Sequence, residues 1–417
     1  MDPLMHLKEI YLKGNSGIKP IIPLCYEELE SKAKKALPKN SYDYIYTGAG
    51  KHIGVSNNQS AFKKYAIRPR MLHGNASLDT SVKIFDTQLQ SPFLFAPIGV
   101  LELAHPKGDL ELAKASRNLQ IPMIISNQAS YSMEAITDTL QNMDRWFQLY
   151  FSKNYEFVES LIQRAEETKC SAIVITVDTT ILGWRQMDLQ NAFLPFTLGK
   201  GIAQYTSDPV FKKLMQQKPS SYNKMAITPA LIVNMLGALS RFPGSLLSNL
   251  VSKDPIKAIR KFIEIYSKPD LNWNDIRWIK SKTKLPLLIK GILRSDDAKI
   301  AMQHGVDGII VSNHGGRQVD HVISSLDALV EIKSQIPASY PLLLDSGIRT
   351  GTDAFIALCL GAKSVLVGRP YVYSLAINGH QGVTECMNNF ITELHIMMML
   401  SGVKNLNELS PELLVKN

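Results

Sequence analysis

The sequence predicts an α/β protein built on a closed (β/α)8 (TIM) barrel, on three observations. Eight short apolar runs recur along the chain: Phe93–Ile98, Pro122–Ser126, Trp146–Phe151, Ala172–Asp178, Pro286–Gly291, Gly308–Asn313, Pro341–Asp345 and Ser364–Gly368. They are rich in Val, Ile and Leu without period-two alternation, as strands buried on both faces are. Helix-length amphipathic stretches separate them, among them Gly108–Asn118, Ser132–Asp138, Asn154–Thr168, Asp296–His304, Ser325–Ser334 and Thr352–Gly361. Gly305 and Gly361 stand where two of these helices should stop. The turn after the first run reads Pro97-Ile98-Gly99-Val100. It lacks the glycine-rich phosphate turn of an open doubly wound sheet, so the closed barrel is the better expectation.

A chain of 417 residues has the length of two or three average domains, but α/β barrels run past about 250 residues as one. The first 90 residues are expected to form an N-terminal helical cap, and 91–417 the barrel. A stretch at about 194–272 interrupts the fourth β/α unit, whose helix resumes near Trp273–Thr283. Long insertions at a βα loop lie over the C-terminal face of a barrel, where lids belong. With 45% hydrophobic and 20% charged residues, the composition is globular and excludes disorder, collagen-like repeats and coiled coil.

The net charge is +9, and it is regional. Ten Lys or Arg and four Asp or Glu lie between Gly201 and Asn272, so +6 of the +9 sits in the insertion. That basic stretch lacks interleaved aromatics and a known binding module, which argues against nucleic acid. Cys25, Cys170, Cys359 and Cys386 form no C-x-x-C or Cys/His cluster, so neither a disulfide framework nor a metal site is expected. The first residues have an early acid and no continuous apolar core, unlike a secretory signal. A reducing cytoplasm is the expected compartment. Ile227–Val251 is strongly apolar and flanked by lysines, but Pro229, Arg241 and Pro243 interrupt it. A lid or subunit contact is expected there ahead of a peripheral membrane contact.

The chemistry concentrates at the ends of the predicted strands. After the sixth comes Ser312-Asn313-His314-Gly315-Gly316-Arg317-Gln318-Val319-Asp320. His314 and Arg317, with two glycines between, can face one ligand: a base working near neutral pH and a planar fork for a carboxylate. At the end of the fourth, Asp178 emerges where it can orient a protonated His314, and Arg185 follows one short loop later. A helix-capping Asp and a solvated Arg are the plainer alternative. Lys290 ends the fifth strand inside the apolar run LPLLIKGIL, and a buried lysine calls for an anionic partner. After the seventh and eighth strands, Asp345-Ser346-Gly347-Ile348-Arg349 and Gly368-Arg369-Pro370 combine close backbone approach with two cations. Those two loops are the usual phosphate site of this architecture.

Together SNHGGRQVD, TVDT with its following LG and R, FQLY, the lysine strand, DSGIRTGTD and VLVGRP resemble the FMN-dependent α-hydroxy-acid oxidising enzymes. The likeness runs from about Tyr26 to Pro411. It implies His314 as the base that takes a substrate proton, paired with Asp178. Arg185 and Arg317 would hold the substrate carboxylate, with the phenols of Tyr44 and Tyr150. Lys290 would stand beside the flavin and stabilise its reduced anion. Pro97, Ile98 and Gly99 would present backbone to the flavin, Ser126, Gln148 and Thr176 would bond its ring, and Asp345, Gly347, Arg349, Gly368 and Arg369 its ribityl phosphate end.

The implied activity is FMN-dependent oxidation of a short (S)-2-hydroxy acid, L-lactate above all. Oxygen would serve as acceptor, with either peroxide release or monooxygenase-type decarboxylation to acetate. A membrane-associated, quinone-linked dehydrogenase is the alternative. Family members of this kind assemble as homo-oligomers, tetramers or octamers. Gln128 stands where glycolate-oxidising members often have an aromatic residue, which argues against glycolate. Gly99 stands where many oxidases have alanine, and Gly99 and the segment opening GIAQYTSDP resemble lactate monooxygenase-like members.

Overall fold

In the computed structural model, which describes residues 3–74, 77–217 and 228–417, the eight apolar runs close into one parallel barrel. Its strands are β1 (Phe93–Phe95), β2 (Met123–Ile125), β3 (Arg145–Leu149), β4 (Ala172–Thr176), β5 (Leu287–Ile292), β6 (Gly308–Val311), β7 (Leu342–Leu344) and β8 (Ser364–Val367). They pair in chain order, and β8 closes on β1 through Val365 opposite Phe93. A helix follows every strand, from Gly108–Leu119 after β1 to Arg369–Leu400 after β8. The strands are shorter than the apolar runs. Ala96–Ile98, Val177–Asp178, Ser312–Asn313, Asp345 and Gly368 follow the strand ends at the C-terminal mouth, where the loops of this architecture carry the functional groups.

Two apolar layers hold this scaffold. Leu94, Ile124, Trp146, Val174, Leu288, Ile310, Leu343 and Leu366 form one buried cluster with Ile84 and Leu89. These are inward positions, one or two per strand, plus a small hairpin (Val82–Ile84 with Thr87–Leu89). Phe85 of that hairpin lies near Trp146, with ring centroids 6.3 Å apart, and a Cβ on Gly308, the first residue of β6, would lie 3.4 Å from Phe85 Cζ. The hairpin therefore plugs the N-terminal mouth and leaves the other end for chemistry. A larger cluster joins the outward faces of the strands to the helices.

Four helices precede the barrel: Pro3–Gly14, Tyr26–Ala36, Lys39–Tyr46 and Ile53–Phe62. The chain ends are tied together where Tyr65–Ile67 pairs antiparallel with Leu414–Lys416. The helix Arg369–Leu400 bends at Asn378 and Gly379, the latter at φ 55°. Glu111 caps the new start there, accepting from the backbone N–H and the ring of His380 at 3.0 and 2.6 Å.

Between β4 and its helix Trp273–Lys282 lies the insertion, and it has two unlike parts. Phe196, Ile202, Tyr205, Phe211, Phe262 and Ile265 are buried, and the backbone oxygen of Ile265 accepts from Ser152 Oγ at 2.7 Å. That part is core. The helices Pro229–Arg241 and Leu246–Ser252 instead expose Val233, Leu247 and Val251 at 67, 77 and 82%. Residues 218–227 of the expected insertion, and with them the start of the 227–251 segment, lie outside the described residues. Among the described residues no helix is long and apolar enough to cross a membrane.

Phe262→Ala should therefore lower the unfolding free energy by about 3–5 kcal/mol, whereas Val251→Ser should change it by less than about 0.5 kcal/mol. Urea denaturation of both variants checks this; equal effects would mean that the insertion does not pack as a core.

Candidate active site

The loop after β6 is where backbone strain collects. His314, Gly315 and Gly316 take φ of 58, 64 and 75°, three consecutive residues in the left-handed region. For the histidine this conformation costs about 1–2 kcal/mol, so neighbours must enforce it. Ser312 Oγ accepts from the His314 N–H at 3.0 Å, Ser346 Oγ from Gly315 at 2.9 Å and Asn313 Oδ1 from Gly316 at 3.0 Å. Asn313 is itself locked by reciprocal amide bonds to Asn58 at 2.8 and 2.7 Å. A Cβ on Gly316 would lie 2.6 Å from the backbone nitrogen of Val55, so only glycine fits. The strain aims the imidazole.

His314 Nδ1 lies 2.7 Å from Asp178 Oδ1, and Thr179 Oγ1 donates to the same oxygen at 2.9 Å. With Nδ1–H given to the carboxylate, Nε2 is the free basic nitrogen. Burial pushes the imidazolium below its ordinary pKa; Asp178 opposes this, and the net shift is downward. Burial raises the Asp178 carboxyl, but the charges of His314 and Lys290 more than offset it, so Asp178 stays ionised. Space for Asp178 comes from β5: its register shifts at Gly291, φ 111°, where a Cβ would lie 2.8 Å from the Asp178 Cβ.

Lys290 is buried and bridges Asp345 Oδ2 at 3.0 Å and Ser312 Oγ at 2.8 Å. Burial disfavours its charge, but Asp345 and Asp178 outweigh burial and hold it protonated. Arg185 and Arg317 are placed differently. Arg317 gives Nη1 to the backbone oxygens of Tyr44 and Thr47, both at 2.7 Å, and its guanidinium lies over the Tyr44 ring at 5.1 Å. Arg185 donates to the Arg317 carbonyl at 3.2 Å and to Gln318 Oε1 at 2.9 Å. Neither has an ion-paired carboxylate among the described residues; Asp188 acts on them only at range. Burial, then the charge of Arg185, pushes Arg317 down to about 9. Two guanidiniums side by side, Arg185 buried and Arg317 half-buried, make a site that gains from an anion. Burial also raises the Tyr150 phenol, keeping it a hydrogen-bond donor.

One cleft brings these groups together. Tyr44, Tyr150, Arg185, His314 and Arg317 line it, with Pro97, Ile98 and Gly99 on one side and Lys290 and Asp345 below. Gly347, Arg349, Gly368 and Arg369 line its far end. There Arg369 donates to the backbone oxygens of Ile45, Gly315 and Thr47 at 3.1, 3.0 and 3.2 Å. Asp178, Ser126, Gln148 and Thr176 are not among the residues that line it; Asp178 is joined to it through His314. Composition and spacing do not signal the roles of Gln318, Asn58 and Phe196. Gln318 lies within the SNHGGRQ run, and its Nε2 donates to the backbone of Asp178 and Ile181 at 2.7 and 2.9 Å. It thereby ties the histidine loop to the arginine loop.

Residues 33–416 match the model of the FMN-dependent dehydrogenase family. The chain belongs to that family. It is similar to L-lactate oxidase of Lysinibacillus sphaericus, 39% identical over 98% of this chain and 97% of that one. Its identity to a 2-hydroxyacid oxidase of Dictyostelium discoideum is 35%, over 92% of this chain and 88% of that one. Among solved structures, an active mutant of (S)-mandelate dehydrogenase superposes with a TM-score of 0.75 and 28% identity, covering 94% of this chain and 99% of that one. A mandelate oxidase variant gives 0.73 and 29%, covering 91 and 96%. The protein is an FMN-dependent oxidoreductase of 2-hydroxy acids.

The residues present fit the cofactor. Buried Gln148 Nε2 and Thr176 Oγ1 have no partner among the described residues, although Gln148 Oε1 already accepts from Ser126 Oγ and the Asn127 N–H at 3.3 and 3.1 Å. Unsatisfied buried polar atoms of this kind demand a partner, and a flavin ring edge offers donors and acceptors. Arg349 Nε, in the loop after β7, is likewise without a partner among the described residues.

With the holoenzyme, pyruvate at about 100 times its Kd should raise stability by about 2.7 kcal/mol, read as a higher Tm. Arg185→Met should lose that shift. An undiminished shift in the variant would put the anion elsewhere.

Proposed function

We propose that the protein oxidises a short (S)-2-hydroxy acid, L-lactate before others, to the 2-oxo acid, with oxygen taking the electrons and leaving as hydrogen peroxide. One observation carries this reading: the His314–Asp178 pair opens on the same cleft as Arg185 and Arg317, so base and carboxylate clamp meet at one small substrate. Arg185 and Arg317, with the phenols of Tyr44 and Tyr150, hold the carboxylate. His314 Nε2 takes a proton from the substrate, and Asp178 stabilises the imidazolium that results. FMN, when bound, supplies the two-electron acceptor. Lys290 is the buried cation that offsets negative charge as electrons arrive. Ser126, Gln148, Thr176 and the backbone of Pro97, Ile98 and Gly99 hold the ring. Asp345, Gly347, Arg349, Gly368 and Arg369 hold the ribityl phosphate end. We place the enzyme in a reducing cytoplasm, in keeping with its four free thiols.

Anaerobic mixing with L-lactate should bleach the flavin, and His314→Ala should slow this by about 10²–10⁴-fold. If no small 2-hydroxy acid bleaches it, the proposal fails. Asp178→Asn removes the charge that raises the His314 pKa, so the acid limb of its kcat/KM profile should move to lower pH as activity falls. A limb moving upward contradicts the pairing. Products formed in air separate the two fates of the peroxide: pyruvate with hydrogen peroxide, or acetate with carbon dioxide and water when the 2-oxo acid is held long enough to react.

The exposed apolar residues of Pro229–Arg241 and Leu246–Ser252 favour a second reading, a quinone-linked dehydrogenase resting on a membrane surface. Sedimentation with anionic vesicles decides it. Binding at low salt that Leu247→Ser with Val251→Ser removes supports the second reading; a protein that stays in the supernatant at low salt excludes it.

A further inference from the structure

The cleft has two unlike walls. Arg185, Arg317, Lys290 and His314 carry the charge of one, whereas Val100, Leu101, Gln128 and Phe196 form another that carries none. An acid with its carboxylate on the arginines and its α-carbon at His314 has one carbon substituent left to place. Only the uncharged wall receives it without desolvating a charge.

Phe196 brings that wall an aromatic ring, and it comes from the insertion, on the short 3-10 helix Pro195–Leu198. Its position is fixed from behind. The ring is 2% exposed and packs on Phe262 at 5.2 Å; Phe262 packs on Tyr205 at 4.7 Å, and Tyr205 on Phe157 of the barrel helix Tyr155–Glu167 at 4.8 Å. It is fixed from the side as well. At Gly201, φ 68°, a Cβ would lie 2.6 Å from Val100 Cγ2, 2.9 Å from the Gln128 carbonyl and 3.3 Å from Phe196 Cε1. The insertion backbone is thus pressed among the three wall residues. Glu102, beside Leu101, keeps it there: Oε1 accepts from the Gly201 N–H at 3.3 Å, and Oε2 pairs with Arg241 Nε at 3.0 Å.

We propose that Phe196 sets the size of the side chain the substrate carries. As a rigid wall rather than a moving lid, it admits a methyl group and turns away long or aryl substituents. The inference rests on the 2-hydroxy-acid reading above and names a determinant within that site. Its test compares kcat/KM for L-lactate and (S)-2-hydroxyoctanoate in the wild-type holoenzyme, Phe196→Ala, Phe196→Leu and Phe196→Trp. The Kd of the matching 2-oxo acids is measured alongside, from the flavin absorbance. One methylene in an apolar pocket changes discrimination by about 10–200-fold. Phe196→Ala should therefore raise the octanoate-to-lactate ratio at least about tenfold, Phe196→Leu should raise it less, and Phe196→Trp should lower it. The 2-oxo acid Kd values should follow the same order. Phe196→Leu keeps most of the buried volume and reads the effect if the alanine variant does not fold. An unchanged ratio in folded variants, with wild type active on lactate, overturns this inference and leaves the function standing. Wild type inactive on every short acid overturns both.

Discussion

Two guanidiniums, the buried one of Arg185 and the half-buried one of Arg317, stand next to each other at the mouth of a barrel, with no ion-paired carboxylate among the described residues. Like charges out of water repel strongly and are stable only when the surroundings hold them and an anion joins them. Much of the site answers that constraint. Carbonyls of Tyr44 and Thr47 hold Arg317, Gln318 holds Arg185, and the Arg317 carbonyl links the two. The fork is built before the substrate arrives, so little ordering is left for the bound state. Lys290 shows the opposite solution, a buried cation already satisfied by Asp345. The contrast fits the roles proposed for them, a pair of cations open to an anion and one already matched.

The proposed base depends on the same scaffold. His314 is aimed by a run of left-handed backbone that Ser312, Asn313 and Ser346 enforce, and Asp178 reaches it through the space left by Gly291. Strain is concentrated in one loop and carried by neighbours just past the ends of β6 and β7. Parallel strands bring these groups to one rim: Lys290 lies on β5, and the loops that carry the proposed base His314 and the proposed clamp Arg185 and Arg317 are pinned by hydrogen bonds.

Much of this was legible in the sequence because the signals are local. Buried parallel strands read as uninterrupted Val, Ile and Leu, and the site residues follow them within a few positions, as His314 follows Val311 and Asp345 follows Leu344. Long-range packing was not legible. Charge and hydropathy treat 194–272 as one insertion, but Phe196, Tyr205 and Phe262 join the core while Val233 and Leu247 face outward. Only three-dimensional contact distinguishes a buried aromatic from an exposed aliphatic in such a run. The plug made by Val82–Ile84 with Thr87–Leu89 escaped notice for the same reason: strands of three residues carry too little periodicity to read. The bend at Gly379 was hidden because the Glu111 that caps it lies far back in the chain.

The arrangement stands or falls on whether the two guanidiniums select the substrate by its carboxylate before His314 acts. The most direct measurement is the anaerobic rate constant for flavin reduction by L-lactate and by its methyl ester, which keeps the reacting carbon and hydroxyl but carries no negative charge. A site whose buried polar groups are left unpaired rejects the defective analogue by about 10⁴-fold, so the ester should reduce the flavin slower by roughly that factor. Reduction by the ester within about tenfold of lactate would contradict the clamp, since a factor of ten is only about 1.4 kcal/mol.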